Sequence, residues 1–290
     1  MSGARSRLYL SKLDSPPATI LDHLFARFPQ IEPDIWRVRV SRGLVTLSDG
    51  TTLKEDSPYR HGIFVFYRKE VPSEPPPAEE PRVIYRDGEI LVVDKPHGMP
   101  VTPVGDHVER SLLACLQKST GLADLAPVHR LDRETAGLLM LAVKPSARGP
   151  YHQLFAERTI EREYLAIAHI LDAPAVKHWR VENRMEAGEP WFRQRIVEGP
   201  ANAITEIALL ELREGLGLFR LFPRTGKKHQ LRVHMASIGF PILGDPFYPE
   251  ICQKSAEDPP LQLLAARLEF IDPLSGLPRR LVSARRLAFT

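Results

Sequence analysis

The chain has 290 residues, of which 43% are hydrophobic and 26% charged, and its formal net charge at pH 7 is +3. These proportions are typical of a globular protein, and the low net charge does not by itself indicate a nucleic-acid partner. No apolar run is long enough to span a membrane, and the polar N-terminus lacks the apolar core of a signal peptide. The cysteines Cys115 and Cys252 form no Cys-x-x-Cys pair, which excludes a zinc ribbon and predicts a reduced, cytoplasmic protein.

Residues 1–71 are predicted to form a small unit of their own. Apolar residues recur at helical spacing over 19–28, and the apolar segment 62–67 is typical of a strand. Between these two elements lies a cluster of arginines: Arg37, Arg39 and Arg42. Charge alone would favour the alternative that this cluster forms a solvated basic face of the protein.

The order of these elements resembles the S-four-like (alpha-L) RNA-binding domain of a small-subunit ribosomal protein. The resemblance implies that the unit binds RNA and that Arg37, Arg39 and Arg42 contact the RNA backbone. A proline-rich segment follows at residues 72–81, where five prolines and three acidic residues predict an extended tether. The remaining residues, 82–290, are of a size that suits a single larger domain.

This larger domain mixes predicted strands and helices without strict alternation. Helices are predicted over 111–118 and 151–158. Strands are predicted over 89–94, 138–143, 164–170, 203–212, 218–222, 263–270 and 277–283, and the last two are expected to form a hairpin. Runs of consecutive strands indicate an α+β fold with a mixed, largely antiparallel sheet.

The most informative segment is His129-Arg130-Leu131-Asp132-Arg133, which precedes the uncharged apolar run 138–143. It places a lone carboxylate on a loop that leads into a buried strand, where loops often carry function. The flanking arginines predict a low pKa for Asp132, so that it stays ionised and can serve as a nucleophile or an electrostatic partner. From spacing alone, an Asp in a turn that is salt-bridged to its neighbours is an equally good interpretation.

A second segment, residues 219–240, carries five Lys or Arg, two His and no acidic residue. Thr225 is predicted to cap a helix that ends at Gly239. The buried face of this helix would carry Leu231, Met235 and Ile238. A basic helix N-terminus suits a phosphate or a carboxylate, because free N–H groups, dipole and side-chain charge act together. A solvent-facing cationic helix is the alternative.

Both segments resemble signatures of the RluA-type RNA pseudouridine synthases. The first, from His129 to Leu139, reads His-Arg-Leu-Asp-Arg-Glu-Thr-Ala-Gly-Leu-Leu, with Ala136 where most members have Ser. The second departs from the family at Lys227 and Lys228, which replace Arg-Thr, so that a planar bidentate donor is lost at the first of them. The resemblance extends over about residues 85–285 and implies the catalytic fold of that family.

The resemblance also implies roles for individual residues. Asp132 corresponds to the catalytic residue, Arg232 to the arginine that pairs with it, and Tyr164 to the tyrosine that stacks on the target base. Arg130 could fill the space that a flipped base leaves in the stack. Four residues of the second segment are assigned to RNA binding: Lys227, Lys228, His229 and Gln230.

We therefore expect a monomeric, cytoplasmic enzyme that isomerises uridine in RNA without a cofactor or a metal. The appended N-terminal unit favours ribosomal RNA, and transfer RNA stays open. No residues show metal-ligand spacing; His229 and His234, for example, would lie about 140° apart on a helix. Two alternatives are a non-catalytic RNA-binding or ribosome assembly factor that keeps the fold, and an aspartate-nucleophile phosphohydrolase, which would need magnesium.

Overall fold

The computed structural model describes residues 5–29, 31–68, 79–103, 109–170, 174–190, 192–252, 255 and 258–289. Contacts among them define two compact units, one within residues 5–68 and one formed by residues 79–103 together with those from 110 onward. Most of the predicted tether, residues 72–81, lies outside the described residues.

The N-terminal unit combines two helices and a three-stranded sheet around one core. Its elements are β1 (Arg5–Tyr9), α1 (Ile20–Arg27), α2 (Pro33–Ser41), β2 (Val45–Leu47) and β3 (Phe64–Arg68). The strands pair antiparallel in the order β1-β3-β2. Reciprocal hydrogen bonds between Thr19 and Asp22 form a capping box at the start of α1, which confirms the helix predicted over 19–28.

The second unit is built on one large sheet. Its strands are β4 (Arg82–Arg86), β5 (Ile90–Lys95), β6 (Ala126–Pro127), β7 (Ala136–Ala142), β8 (Glu161–His169), β9 (His178–Ala187), β10 (Gln194–Val197), β11 (Ala203–Arg213), β12 (Leu216–Pro223), β13 (Leu263–Ile271) and β14 (Pro278–Val282). Its helices are α3 (Leu112–Thr120), α4 (Pro145–Ala156) and α5 (Gln230–Ser237). The strand order is β10-β9-β11-β12-β8-β13-β7-β5-β4, with β6 beside β7 and β14 beside β13. This architecture confirms the predicted α+β class and the predicted hairpin of β13 and β14.

Strands β5 and β7 are buried on both faces, which explains why their sequences are almost continuously apolar. Because successive side chains of a strand point to opposite faces, each strand contributes to two separate cores. One core receives Leu91, Val93, Leu139 and Leu141, and the other receives Ile90, Val92, Leu138 and Met140. The strand predicted over 138–143 is therefore confirmed, and it forms a rigid support for the loop that precedes it.

The sheet is mixed because β13 runs parallel to β7, whereas the other named pairs are antiparallel. The parallel contact involves Gly137, which pairs with Ala265 and has a φ of +108°. A Cβ atom at Gly137 would lie 2.3 Å from the carbonyl oxygen of Ala265. Only glycine fits this close approach, so the glycine that follows the Asp132 loop is required by the sheet itself.

Several predicted boundaries are wrong. Helix α4 begins at Pro145, six residues before the predicted start, because proline is favoured in the first helical turn. Helix α5 begins at Gln230 and not directly after Thr225. Strands β9 and β10 were not predicted, since charged residues predominate in them and leave only a weak apolar alternation. Within the described part of the chain, no helix is long and apolar enough to cross a membrane.

Candidate active site

Asp132 lies on the loop between β6 and β7, and three side chains hold this loop in place. Lys95 Nζ donates a hydrogen bond to the carbonyl oxygen of Arg133 (2.9 Å), and His97 Nδ1 contacts that of Glu134 (2.8 Å). The N–H of Met140 donates to His129 Nε2 (2.9 Å), which ties the start of the loop to β7. The loop is therefore fixed by the protein before any substrate binds.

Lys95 is the most unusual of these anchors because its side chain is fully buried. Its ammonium group also donates to the carbonyl oxygens of Pro96 (2.9 Å) and Met99 (2.8 Å). Burial lowers the pKa of Lys95 to about 7, whereas Glu134 and Asp132 act in the opposite direction. Three carbonyl acceptors need three N–H donors, which only the protonated amine supplies, so this geometry is that of the ammonium form.

The carboxylate of Asp132 is 20% exposed and faces two groups from the segment around α5. Its Oδ2 lies 3.8 Å from Arg232 Nη1 and 3.9 Å from His229 Nε2. Burial raises the pKa of Asp132, although Arg232 and then Arg130 oppose that rise. The low pKa predicted from the flanking arginines is thus wrong, because Arg133 pairs with Glu134 (2.7 Å) and the carboxyl is largely removed from solvent.

Arg232 is held by a second carboxylate that sequence reasoning missed. Its Nε donates to Asp245 Oδ2 (2.7 Å) and its Nη2 to Asp245 Oδ1 (2.5 Å), and both side chains are only 1% exposed. The guanidinium also lies 5.0 Å from the ring of Phe247 and 5.3 Å from that of Tyr248. Arg232 therefore lies between the two carboxylates. Its Nε and Nη2 groups bind Asp245 in a bidentate pair, and its Nη1 group faces Asp132.

The segment before α5 is organised by Gln230. Thr225 Oγ1 accepts a hydrogen bond from Ile204 N–H and donates to Gln230 Oε1 (2.7 Å), so Thr225 is not the helix cap that was predicted. Gln230 Nε2 donates to Ile204 O and Thr205 Oγ1, both at 2.9 Å. The sequence predicted that Gln230 binds RNA. Its side-chain amide is instead buried and hydrogen-bonded within the protein, so it holds the segment before α5 in place and is not available to RNA.

A cleft of about 910 Å³ brings the predicted residues of the larger domain together. Its lining includes Arg130, Asp132, Tyr164, Lys227, Lys228, His229, Gln230 and Arg232. Tyr164 is 8% exposed and belongs to the apolar core, and its flat ring forms part of the cleft wall. Burial raises the pKa of its phenol, so this side chain stays neutral at ordinary pH.

The cleft also contains three residues that sequence reasoning did not assign to the site: His152 and the cationic Arg158 and Arg162. Arg162 Nη2 donates to the carbonyl oxygens of Pro223 (3.0 Å) and Thr225 (3.2 Å), which fixes the segment that leads toward α5. Its position two residues before Tyr164 on β8 is a signal that was available, because residues i and i+2 share one face of a strand.

The predicted arginines of the N-terminal unit differ in their surroundings. Arg37 is exposed and pairs with Asp34 (3.1 Å), and Arg42 is also exposed. Arg39 is only 6% exposed, and its guanidinium lies 4.9 Å from the ring of Trp36. Arg39 therefore packs against the core of this unit, which corrects its predicted placement on an RNA-contacting surface.

Comparison with a solved structure defines the class of the fold. The human RNA Pseudouridylate Synthase Domain Containing 1 superposes with a TM-score of 0.59 at 23% sequence identity, covering 75% of this chain and 94% of that one. The large sheet with Asp132 on the loop before β7 is thus a pseudouridine synthase fold. Among the described residues, no group of three or more His, Cys, Asp or Glu side chains has the arrangement of a metal site.

Sequence comparisons agree with the fold. The family described as RNA pseudouridylate synthase matches residues 89–237. A ribosomal large subunit pseudouridine synthase D of Zymomonas mobilis is 30% identical, over 82% of this chain and 80% of that protein. The mitochondrial tRNA pseudouridine(32) synthase of Saccharomyces cerevisiae is 28% identical, over 79% of this chain and 50% of that protein.

The chain belongs to the RluA-type family of RNA pseudouridine synthases, and it is an isomerase that acts on RNA. This membership sets aside both alternatives considered from the sequence, the non-catalytic assembly factor and the phosphohydrolase.

Proposed function

We propose that the protein converts uridine to pseudouridine in ribosomal RNA, with Asp132 as the attacking group. The observation that carries this assignment is the composition of the cleft. Among the described residues that line it, Asp132 is the one carboxylate, whereas Arg130, Arg158, Arg162, Lys227, Lys228 and Arg232 are cationic. A single carboxylate inside a cationic cleft suits a reaction that needs one nucleophile and an anionic polymer as substrate.

The reaction breaks the bond between ribose C1′ and uracil N1 and forms a bond between C1′ and C5. The hydrogen at C5 leaves as a proton, and N1 is protonated, so that no electrons are gained or lost. Asp132 would attack either the ribose C1′ or the uracil ring and be released when the new bond forms. Arg232 supports this role because it lies within ion-pair distance of the ionised carboxylate.

The target atoms are inaccessible in a stacked RNA, so the uridine must be flipped out at a cost of a few kcal/mol. The ring of Tyr164 offers a stacking surface inside the cleft. Arg130 is exposed on the same loop as Asp132, where its long side chain could occupy the space vacated in the RNA stack. The cationic lining would hold the phosphates on either side of the flipped nucleotide.

Ribosomal RNA is proposed as the substrate on two grounds. The similar protein of Zymomonas mobilis is named for the large ribosomal subunit, and its alignment covers more of this chain than the larger domain alone comprises. The N-terminal unit also carries exposed arginines on and beside α2, as the resemblance to a ribosomal RNA-binding domain implies. Transfer RNA is the competing substrate, by similarity to the yeast enzyme.

Tritium release tests the proposal, because C5 loses its hydrogen when pseudouridine forms. Ribosomal RNA and transfer RNA labelled at uridine C5 would be incubated with the wild type, with Asp132→Asn, and with Asp124→Asn as a control at an exposed carboxylate. We expect Asp132→Asn to bind RNA normally but to lose more than about 99% of turnover. Residual turnover above that level would reject Asp132 as the attacking group, and release from transfer RNA alone would reject the ribosomal substrate.

A further inference from the structure

A hydrogen-bonded series of buried groups leads from β10 to the neighbourhood of Asp132. The N–H of Gln194 donates to Tyr248 Oη (2.7 Å), and Tyr248 Oη lies 2.9 Å from His229 Nδ1. The other ring nitrogen, His229 Nε2, lies 3.9 Å from Asp132 Oδ2. Tyr248 is 5% exposed and His229 8%, so these groups depend on one another and not on solvent for hydrogen bonds.

The number of protons decides the tautomer of His229. The Tyr248 hydroxyl has one proton and already accepts the N–H of Gln194. If His229 carried its proton on Nδ1, the hydroxyl oxygen would accept twice and its own proton would have no acceptor in this series, which is costly for a buried group. The favourable arrangement has Tyr248 donating to Nδ1, so the proton of a neutral imidazole lies on Nε2, the nitrogen that faces Asp132.

Two further observations concern His229. The first indicates that its imidazole is neutral, and the second that its side chain does not cap helix α5. Burial, followed by Arg232 and Lys228, lowers the pKa of His229 to about 3. His229 occupies the N-cap position of α5 with a left-handed φ of +54°, yet its side chain makes no capping hydrogen bond. Such backbone strain persists where the surrounding structure requires a particular placement.

We propose that His229 is a positioning residue for Asp132, a role that rests on the proposed function, and that Tyr248 fixes its Nε2–H tautomer. Arg232 reaches the Asp132 carboxylate from α5, and the Nε2–H of His229 would provide a second donor. The 3.9 Å separation is longer than a hydrogen bond, as is common before a substrate is bound, and it would shorten when uridine binds.

Other groups also act on the charge of Asp132 and must stay constant in any test. They are Arg130 on its own loop, Lys228 and Arg232 from the segment around α5, and Lys95 at the end of β5. None of these residues is changed in the variants below, so a shift in the pH profile can be assigned to the Nε2–H donor.

The decisive comparison is between His229→Gln and His229→Asn. The glutamine amide reaches the position of Nε2 and can still donate toward Asp132, whereas the asparagine amide is too short. Asparagine, however, tolerates the left-handed backbone better than glutamine does. A purely structural role therefore predicts that His229→Asn is the more active variant, and a positioning role predicts the reverse.

We expect His229→Asn to lower kcat about ten- to a hundredfold with little change in KM, and to move the acid limb of the kcat/KM profile to higher pH. His229→Gln should lose less than His229→Asn, and the exposed His178→Gln serves as the matched control. Higher activity in His229→Asn than in His229→Gln, with no movement of the acid limb, would overturn the proposal.

The tautomer can be measured without any activity. In full-length protein labelled with 15N at histidine, we expect the His229 resonances of a proton on Nε2 and a bare Nδ1 between pH 5 and 8, and a change of this pattern in Tyr248→Phe. A proton on Nδ1 in the wild type would overturn the inference about His229. Full turnover in Asp132→Asn would instead refute the proposed function while leaving the tautomer result intact.

Discussion

The buried pair of Arg232 and Asp245 gives a quantitative prediction for the variant Asp245→Asn. Both side chains are 1% exposed, and two charge-assisted hydrogen bonds join them. Breaking a buried ion pair by neutralising one partner typically costs about 3–5 kcal/mol, because the remaining charge is uncompensated. Asparagine keeps an acceptor for the N–H groups of Phe247 and Tyr248, so we expect the lower end, roughly 3 kcal/mol.

Thermal unfolding measures this loss. For a domain of roughly 150–250 residues, 1 kcal/mol lowers Tm by about 2–4 °C, so Asp245→Asn should lower it by roughly 6–12 °C. The matched control is Glu182→Gln, which removes a carboxylate paired with Arg180 on the exposed face of β9 (3.1 Å, side chains 59% and 46% exposed). An exposed pair contributes at most about 1 kcal/mol. Equal Tm values for the two variants would refute the importance assigned to burial of the Arg232–Asp245 pair.

Three further predictions follow from the described contacts. Burial raises the folded-state pKa of Asp132, so its ionised form destabilises the fold above that pKa, and this penalty disappears below the ordinary Asp value of about 3.9. Asp132→Asn should therefore raise Tm at pH 7.5. If this gain in Tm did not shrink toward pH 4, it would not come from the buried charge of Asp132. Gly137→Ala should cost more than about 3 kcal/mol in chemical unfolding because of its positive φ and the contact with Ala265, whereas Gly149→Ala, inside α4 with open space around its Cβ, should be neutral or stabilising. Arg37→Gln should reduce the slope of log affinity for RNA against log salt by roughly 0.7–0.9. Arg39→Gln should instead lower the stability of the N-terminal unit, because Arg39 packs against Trp36. A reduced salt slope in Arg39→Gln, with an unchanged slope in Arg37→Gln, would show that Arg39 contacts the RNA.

The apolar runs were the most reliable guide to the fold. The segment 138–143 is predictable as a strand because it is buried on both faces and contains no charge. Strand β9 was missed because charged residues separate its few apolar ones, Trp179, Val181 and Met185, and these charged residues pair with one another along the strand. Backbone hydrogen bonds to β10 and β11 also hold this strand, and they leave no pattern in the sequence.

The site was predictable in its membership but not in its electrostatics. The family resemblance implied that Asp132, Tyr164 and Arg232 act together, and in the structure all three line one cleft. The pKa of Asp132 was misjudged because adjacency in sequence does not give adjacency in space: Arg133 turns to Glu134, and burial depends on the whole fold. Asp245 was overlooked for the same reason, since its contact with Arg232 joins residues 13 apart that the sequence gives no means of pairing.

The anchoring of the Asp132 loop by Lys95, His97 and His129 has a consequence for how the enzyme selects its target. Because the protein arranges the loop of Asp132, the proposed attacking group, in advance, little of the affinity for RNA is consumed in ordering this loop. That affinity is available for unstacking the uridine, whose cost is lowest where the base is already poorly paired. Discrimination among uridines then depends on how easily each RNA segment deforms to fit a rigid template, as much as on which bases surround it.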